Sequence, residues 1–228
     1  MKRLVILLLI FVFLFSGCAQ KEEPQPENIE AKQITLEALG QYPTLPTGCE
    51  VTAAATVLRF YGADITPLQF SEMYLAHNGD FYYADGVLRG PDPRKVFAGD
   101  PREKNSYGCF APVITDAVNR ISDFSAETLS GKSLPQICRE YIDFDKPILI
   151  WVTMGMRPSE EGNSWITPSG EEFTWIAGEH CMVLFGYDEK YYYLADPQSG
   201  AEVLYKKQIV ENRYFELGRQ AVYIYPDA

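Results

Sequence analysis

Hydrophobic and polar positions change period several times along this chain, and each change predicts an element. Residues 4–15 form an unbroken apolar run behind Lys2 and Arg3. In LPTGCEVTAAATVLRFYG the positions Val51, Ala54, Ala55 and Leu58 recur at i, i+3, i+4 and i+7, with Glu50, Thr52 and Arg59 off that stripe. This spacing predicts an amphipathic helix that begins near Cys49. Thr66-Pro67 offers a cap and a proline at the first helical position for a second helix through LQFSEMYLA. APVITDAVNRIS and LPQICREYIDF read as short helices with Pro112 and Pro135 near their starts. KPILIWVTMG is a strongly apolar strand, and EHCMVLFGYD is a buried one. After the turn residues Asp188, Glu189 and Lys190 comes KYYYLADP, and so short a connection makes the two strands antiparallel partners. MRPSEEGNSWITPSGEEFTWIAG reads as a hairpin beside the first of them. Its Trp165 and Trp175 are more simply explained by packing on a sheet than by lining a groove. Residues 79–108, rich in Gly, Pro and Asp, read as a long ordered loop, and loops of that length are usually functional. Helices first and a mainly antiparallel sheet afterwards make an α+β fold.

The helix start is where chemistry enters. Cys49 lies in or just before the first turn, where unpaired backbone N–H groups and the positive end of the helix dipole favour thiolate over thiol. That makes it a candidate nucleophile, against the plainer reading of a small buried apolar residue. The chain has only two histidines, His77 and His180, so a Cys–His pair must use one of them. His77, in LAHNGD, reads as an exposed turn residue. His180 opens the buried strand, and the hairpin brings Asp196 within one or two cross-strand neighbours of it. On one face, the Asp196 carboxylate can accept the second imidazole N–H and orient the ring. Asp196-Pro197 is equally readable as a turn starter at a strand end.

Charge and cysteine use narrow the setting. Residues 4–15 are too short to span a bilayer comfortably but suit a signal-peptide core, and Ser16-Gly17-Cys18 resembles a lipobox with Cys18 as the lipidated residue. Phe15 stands where that motif usually has Leu, Val or Ile, so unlipidated cleavage and retention as an anchor stay open. The polar segment AQKEEPQPENIEAKQ reads as a disordered tether; its fifteen residues reach roughly 50 Å when extended. The expected organisation is a signal peptide over 1–17, a tether over 18–33 and one domain over 34–228. The chain would then sit lipid-anchored on the extracytoplasmic face of the cell membrane. Net charge is −11, or −13 once Lys2 and Arg3 are removed, and no Lys or Arg cluster appears, which argues against nucleic-acid binding. Cys109, Cys138 and Cys181 remain. Cys181 is expected in the core, and Cys109 and Cys138 are either bridged or simply buried. No CxxC, HExxH or His-rich spacing is present, so zinc is not expected, and no phosphate loop implies a cofactor.

Gln41 with LPTGCE, GDP followed by YGCFAPVI, EHCMVLFGYD, LADPQSG and LGRQAVYI occur in order between Gln41 and Ile224. Together they resemble the bacterial C-thirty-nine-like cysteine peptidases, relatives of the double-glycine peptidases that trim bacteriocin leaders. The resemblance implies a papain-like fold with the Cys helix packed on a sheet carrying His and Asp. It further implies Cys49 as nucleophile, His180 as general base, Asp196 as its orienter and Gln41 as an oxyanion-hole donor, acting on a peptide or protein substrate. Two other readings use the same residues. One is a different thiol acyl-transfer enzyme, transglutaminase-like or an NlpC-type wall hydrolase, and the other is a non-catalytic peptide-binding lipoprotein.

Overall fold

The computed structural model describes residues 31–77 and 80–227. The expected signal peptide, Cys18 and the tether up to residue 30 lie outside the described residues. Lys32–Gln33, the end of that expected tether, form β1 and pair antiparallel with the strand that carries His180. The ordered fold therefore starts before residue 34.

The helix at the candidate nucleophile, α1 (Cys49–Phe60), starts where the periodicity placed it. Its burial goes further than an amphipathic stripe. Every residue from Cys49 to Leu58 is buried, Glu50 and Thr52 included. The reason is position: α1 packs against the sheet, α2 (Pro67–Tyr74) and α3 (Ala111–Val118) at once. Ala53, Ala54 and Ala55 keep it slim enough to be surrounded. The capping of α2 follows its sequence signal, with the Thr66 hydroxyl accepting the Gln69 N–H and the Gln69 side chain accepting the Thr66 N–H.

Residues 79–108 are not all loop. Tyr82–Ala84 (β2) and Val87–Arg89 (β3) form a hairpin turning through Asp85 and Gly86, both at positive φ (53° and 77°). Asp-Gly suits that turn because only glycine and a few short polar residues accept the left-handed backbone cheaply. After α3 come β4 (Phe124–Thr128), α4 (Leu134–Glu140), β5 (Ile148–Thr153), β6 (Glu160–Ile166), β7 (Glu172–Ala177), β8 (Glu179–Tyr187), β9 (Tyr191–Asp196), β10 (Ala201–Lys206), α5 (Lys207–Glu216) and β11 (Ala221–Pro226).

Two sheets result. The larger runs β10-β9-β8-β5-β11-β4, with β1 added beside β8; the smaller runs β2-β3-β6-β7. All residues of β5 and β8 are buried, which explains why both read as unbroken apolar runs. The α+β class and the antiparallel large sheet are as expected. Among the described residues Cys49, Cys109, Cys138 and Cys181 are free and buried, so Cys109 and Cys138 do not bridge. Cys181 lies in the core, as its strand position predicts. Trp165 and Trp175 sit on the β6–β7 hairpin and pack into an aromatic cluster with Phe81, Tyr107, Phe110 and Phe173.

Candidate active site

A cavity of about 430 Å³ opens between α1, the β7–β8 junction and the loop before α1; Gln41, Cys49, Tyr107, Trp175, Glu179 and His180 are among its lining residues. Three of the four predicted site residues thus face one space, and Asp196 joins through His180.

The histidine side is tightly built. The β8–β9 register places Ala195 opposite Val183, so Asp196 falls opposite Met182 and diagonal to His180. Oδ1 of Asp196 lies 2.7 Å from Nε2 of His180. The same oxygen accepts the Gln198 backbone N–H at 2.9 Å, so Asp196 starts the turn and contacts the His180 ring with one oxygen. Burial resists ionisation of this carboxyl, but the His180 bond and charge and the Gln198 N–H outweigh it and hold the group below its usual range. Nδ1 of His180 is left as the second ring nitrogen. His77 stands elsewhere: half-buried rather than exposed, it forms an isolated bridge with Phe97 and does not line the cavity.

Gln41 is buried in the loop ahead of α1. Its Nε2 donates to the Pro46 carbonyl at 2.9 Å, which fixes which end of the amide is nitrogen and leaves that nitrogen a second N–H. The loop itself is tied down by Gln41 N–H to Pro197 O (2.8 Å) and Leu45 N–H to Gln41 O (2.8 Å). The turn after Asp196 therefore holds the Gln41 loop directly.

The cysteine side departs from the expectation drawn from the helix dipole. The Cys49 thiol donates to Oε2 of Glu50 at 3.3 Å. Burial above all, then the Glu50, Glu179 and Cys181 charges, push its pKa well above the ordinary thiol range, against a smaller pull from the Cys181 backbone N–H. Desolvation, at 7% exposure, is the largest of these effects. Glu50 is itself raised to about 7 by burial, offset in part by the Cys109 N–H that its Oε1 accepts at 2.6 Å. Glu179 is raised well above the ordinary carboxyl range by burial and by Glu50. Its Oε1 is buried without a hydrogen-bond partner. One ligand-capable atom from each of Cys49, Glu50 and Glu179 lies within 4.8 Å of the others, the one such group among the described residues. Sequence reasoning missed both glutamates. Glu50 lies off the apolar stripe and carries no local mark; the signal available for Glu179 is a carboxyl inside a fully buried strand run.

Residues 29–222 match the model of the Peptidase_C39 like family. The Bacillus subtilis (strain 168) uncharacterized protein YvpB is 30% identical over 183 residues, covering 80% of this chain and 70% of YvpB. A solved Bacillus anthracis structure assigned as a C39-like peptidase superposes with a TM-score of 0.74 at 24% identity, over 86% of this chain and 98% of that one. The peptidase domain of Streptococcus ComA, a bifunctional ABC transporter of a quorum-sensing pathway, superposes with a TM-score of 0.51 at 15% identity, over 85% of this chain and all of that one (100%).

Proposed function

The chain belongs to the Peptidase_C39 like family, and on that premise we propose that it hydrolyses peptide bonds through a thioacyl-enzyme formed on Cys49. The family supports a cysteine peptidase role. The observation that carries the reading is the shared cavity of Cys49, Gln41 and a His180 already oriented through Nε2 by Asp196.

In the resting arrangement the thiol donates to Glu50, so the S–H turns away from that carboxylate before its proton passes to His180. The sulfur then attacks the carbonyl carbon, a C–S bond forms, and the oxyanion takes N–H bonds from Gln41 and the Cys49 backbone. His180 returns the proton to the leaving amine as the C–N bond breaks. Water, deprotonated by His180, cleaves the thioester and restores the thiol. Asp196 keeps the imidazole in the tautomer and orientation that this cycle needs. We place the enzyme on the extracytoplasmic face of the membrane, held by a lipid on Cys18 and acting on peptide or protein substrates. The support for that location is residues 1–18, which read as a lipoprotein signal.

Digestion of an unbiased peptide library, read by mass spectrometry, tests the activity. Cleavage is expected with the natural chain and not with Cys49→Ala. Addition of a primary amine separates hydrolysis from acyl transfer, since amide products would favour a transferase. Cleavage that survives Cys49→Ala refutes the mechanism.

A further inference from the structure

Buried polar atoms in folded proteins are almost always hydrogen-bonded, so an exception asks for an explanation. Glu179 is such an exception: it is 6% exposed, its Oε1 has no partner, and it lines the cavity beside Cys49. Two further groups approach it. Oε2 of Glu50 holds the Cys49 thiol, and the three ligand atoms come within 4.8 Å of one another. Gly108 keeps this corner open: a Cβ there would stand 2.4 Å from Glu50 Oε1 and 3.2 Å from Glu179 Oε2.

We infer that Cys49, Glu50 and Glu179 form a binding site for a thiophilic divalent cation of the zinc class, and that its occupation silences the nucleophile. The silencing rests on the peptidase reading; the site does not. A thiolate with two carboxylates is a donor set for a borderline-soft ion, and three protein ligands leave the fourth tetrahedral position to water. Zinc bonds of about 2.3 Å to sulfur and 2.0–2.2 Å to oxygen place neighbouring ligand atoms roughly 3.3–3.7 Å apart, within reach of small side-chain adjustments. Magnesium and calcium take oxygen ligands and have no use for the sulfur. On binding, the Cys49 S–H proton and any proton that burial keeps on the Glu50 and Glu179 carboxyls leave to solvent as the S–metal and O–metal bonds form, and Glu50 Oε2 exchanges its thiol contact for the metal. Glu50 Oε1 keeps the Cys109 N–H. No atom changes oxidation state. The ion enters through the cavity, which Cys49 and Glu179 both line. No local spacing in the sequence announces the site because Glu179 comes from a distant strand.

Titration of the chain with Co²⁺ tests it by absorbance. A thiolate-to-cobalt charge-transfer band is expected to saturate at one equivalent and to be displaced by Zn²⁺ but not by Ca²⁺ or Mg²⁺. Cys49→Ser is expected to abolish the band. The isosteric Glu179→Gln is expected to weaken cobalt binding by at least about tenfold, the lower end of what losing a mere supporting group costs a metal site. Glu202→Gln, exposed on β10, is expected to leave binding unchanged. His180→Ala is expected to keep the band. A band lost in His180→Ala but retained in Glu179→Gln would move the metal to a Cys–His pair and overturn the assignment. No band on the natural chain overturns it whatever the variants do. Peptide hydrolysis is read separately: a chain that binds cobalt at Cys49 yet cleaves nothing keeps the metal site and refutes the peptidase.

Discussion

The His180–Asp196 corner of the cavity and the Cys49–Glu50–Glu179 corner are buried to a similar degree but satisfied very differently. At the first, one carboxylate oxygen serves both the imidazole and a backbone N–H, and the ionised form is favoured. At the second, burial pushes all three groups toward their neutral forms, and a carboxyl oxygen has no partner. The first corner is finished within the protein. The second leaves Glu179 Oε1 without a protein partner. On the peptidase reading proposed above, the β8–β9 pair would orient the base and the start of α1 would supply the nucleophile.

Substitutions can break this division, and the largest effect belongs to the sulfur. Cys49→Ser is expected to abolish peptide cleavage while leaving circular dichroism and thermal unfolding near those of the natural chain. Activity in a folded Cys49→Ser protein would end the mechanism. His180→Ala is expected to lose nearly as much, and His77→Ala almost nothing; equal losses at both would remove the distinction between the two histidines. Next comes Gln41. Gln41→Ala is expected to lower kcat by about 10²–10³ while leaving alkylation of Cys49 almost unchanged, because alkylation forms no oxyanion. Alkylation that falls as far as kcat would make Gln41 a support for the loop instead.

Asp196→Asn should be the mildest. Asn still starts the turn and can still accept from the imidazole, so a moderate rate loss is expected, smaller than for His180→Ala. Its clearer signature lies in acid. The folded Asp196 carboxyl titrates below its unfolded value, so its contribution to stability is fully present above about pH 3.9 and is lost as pH falls through the lower folded value. Asp196→Asn is expected to flatten that part of the stability–pH curve in chemical denaturation. An unchanged acid limb would show that the ion pair adds no stability.

What could be read from the sequence follows the range of each signal. The α1 start, the Thr66 cap and the β8–β9 pairing are encoded within a few residues and stand as read. The Asp85-Gly86 turn was equally local and is a strong hairpin signal, but strands of three residues inside a Gly- and Pro-rich stretch hid it. Gln41 carries no local mark of function and stood out only through the family resemblance. The raised Cys49 thiol could not be foreseen. The dipole is a property of the helix alone, whereas burial and the nearness of Glu179 arise from packing across 130 residues of chain.

The aromatic cluster gives the cavity a voice in light. Of the chain's three tryptophans, Trp151 is sealed in β5 and donates its indole N–H to Cys109 O at 2.9 Å, while Trp165 is 1% exposed and donates to Pro91 O at 2.7 Å. Only Trp175 forms part of the cavity wall, stacked on Phe110 with ring centroids 5.5 Å apart. Whatever enters the cavity changes the surroundings of the one indole on its wall, which is 6% exposed and stacked by the rings of Phe110 and Trp165. Occupancy is therefore expected to shift the intrinsic fluorescence without a label or a known substrate, and Trp175→Phe to remove that shift for the same ligand.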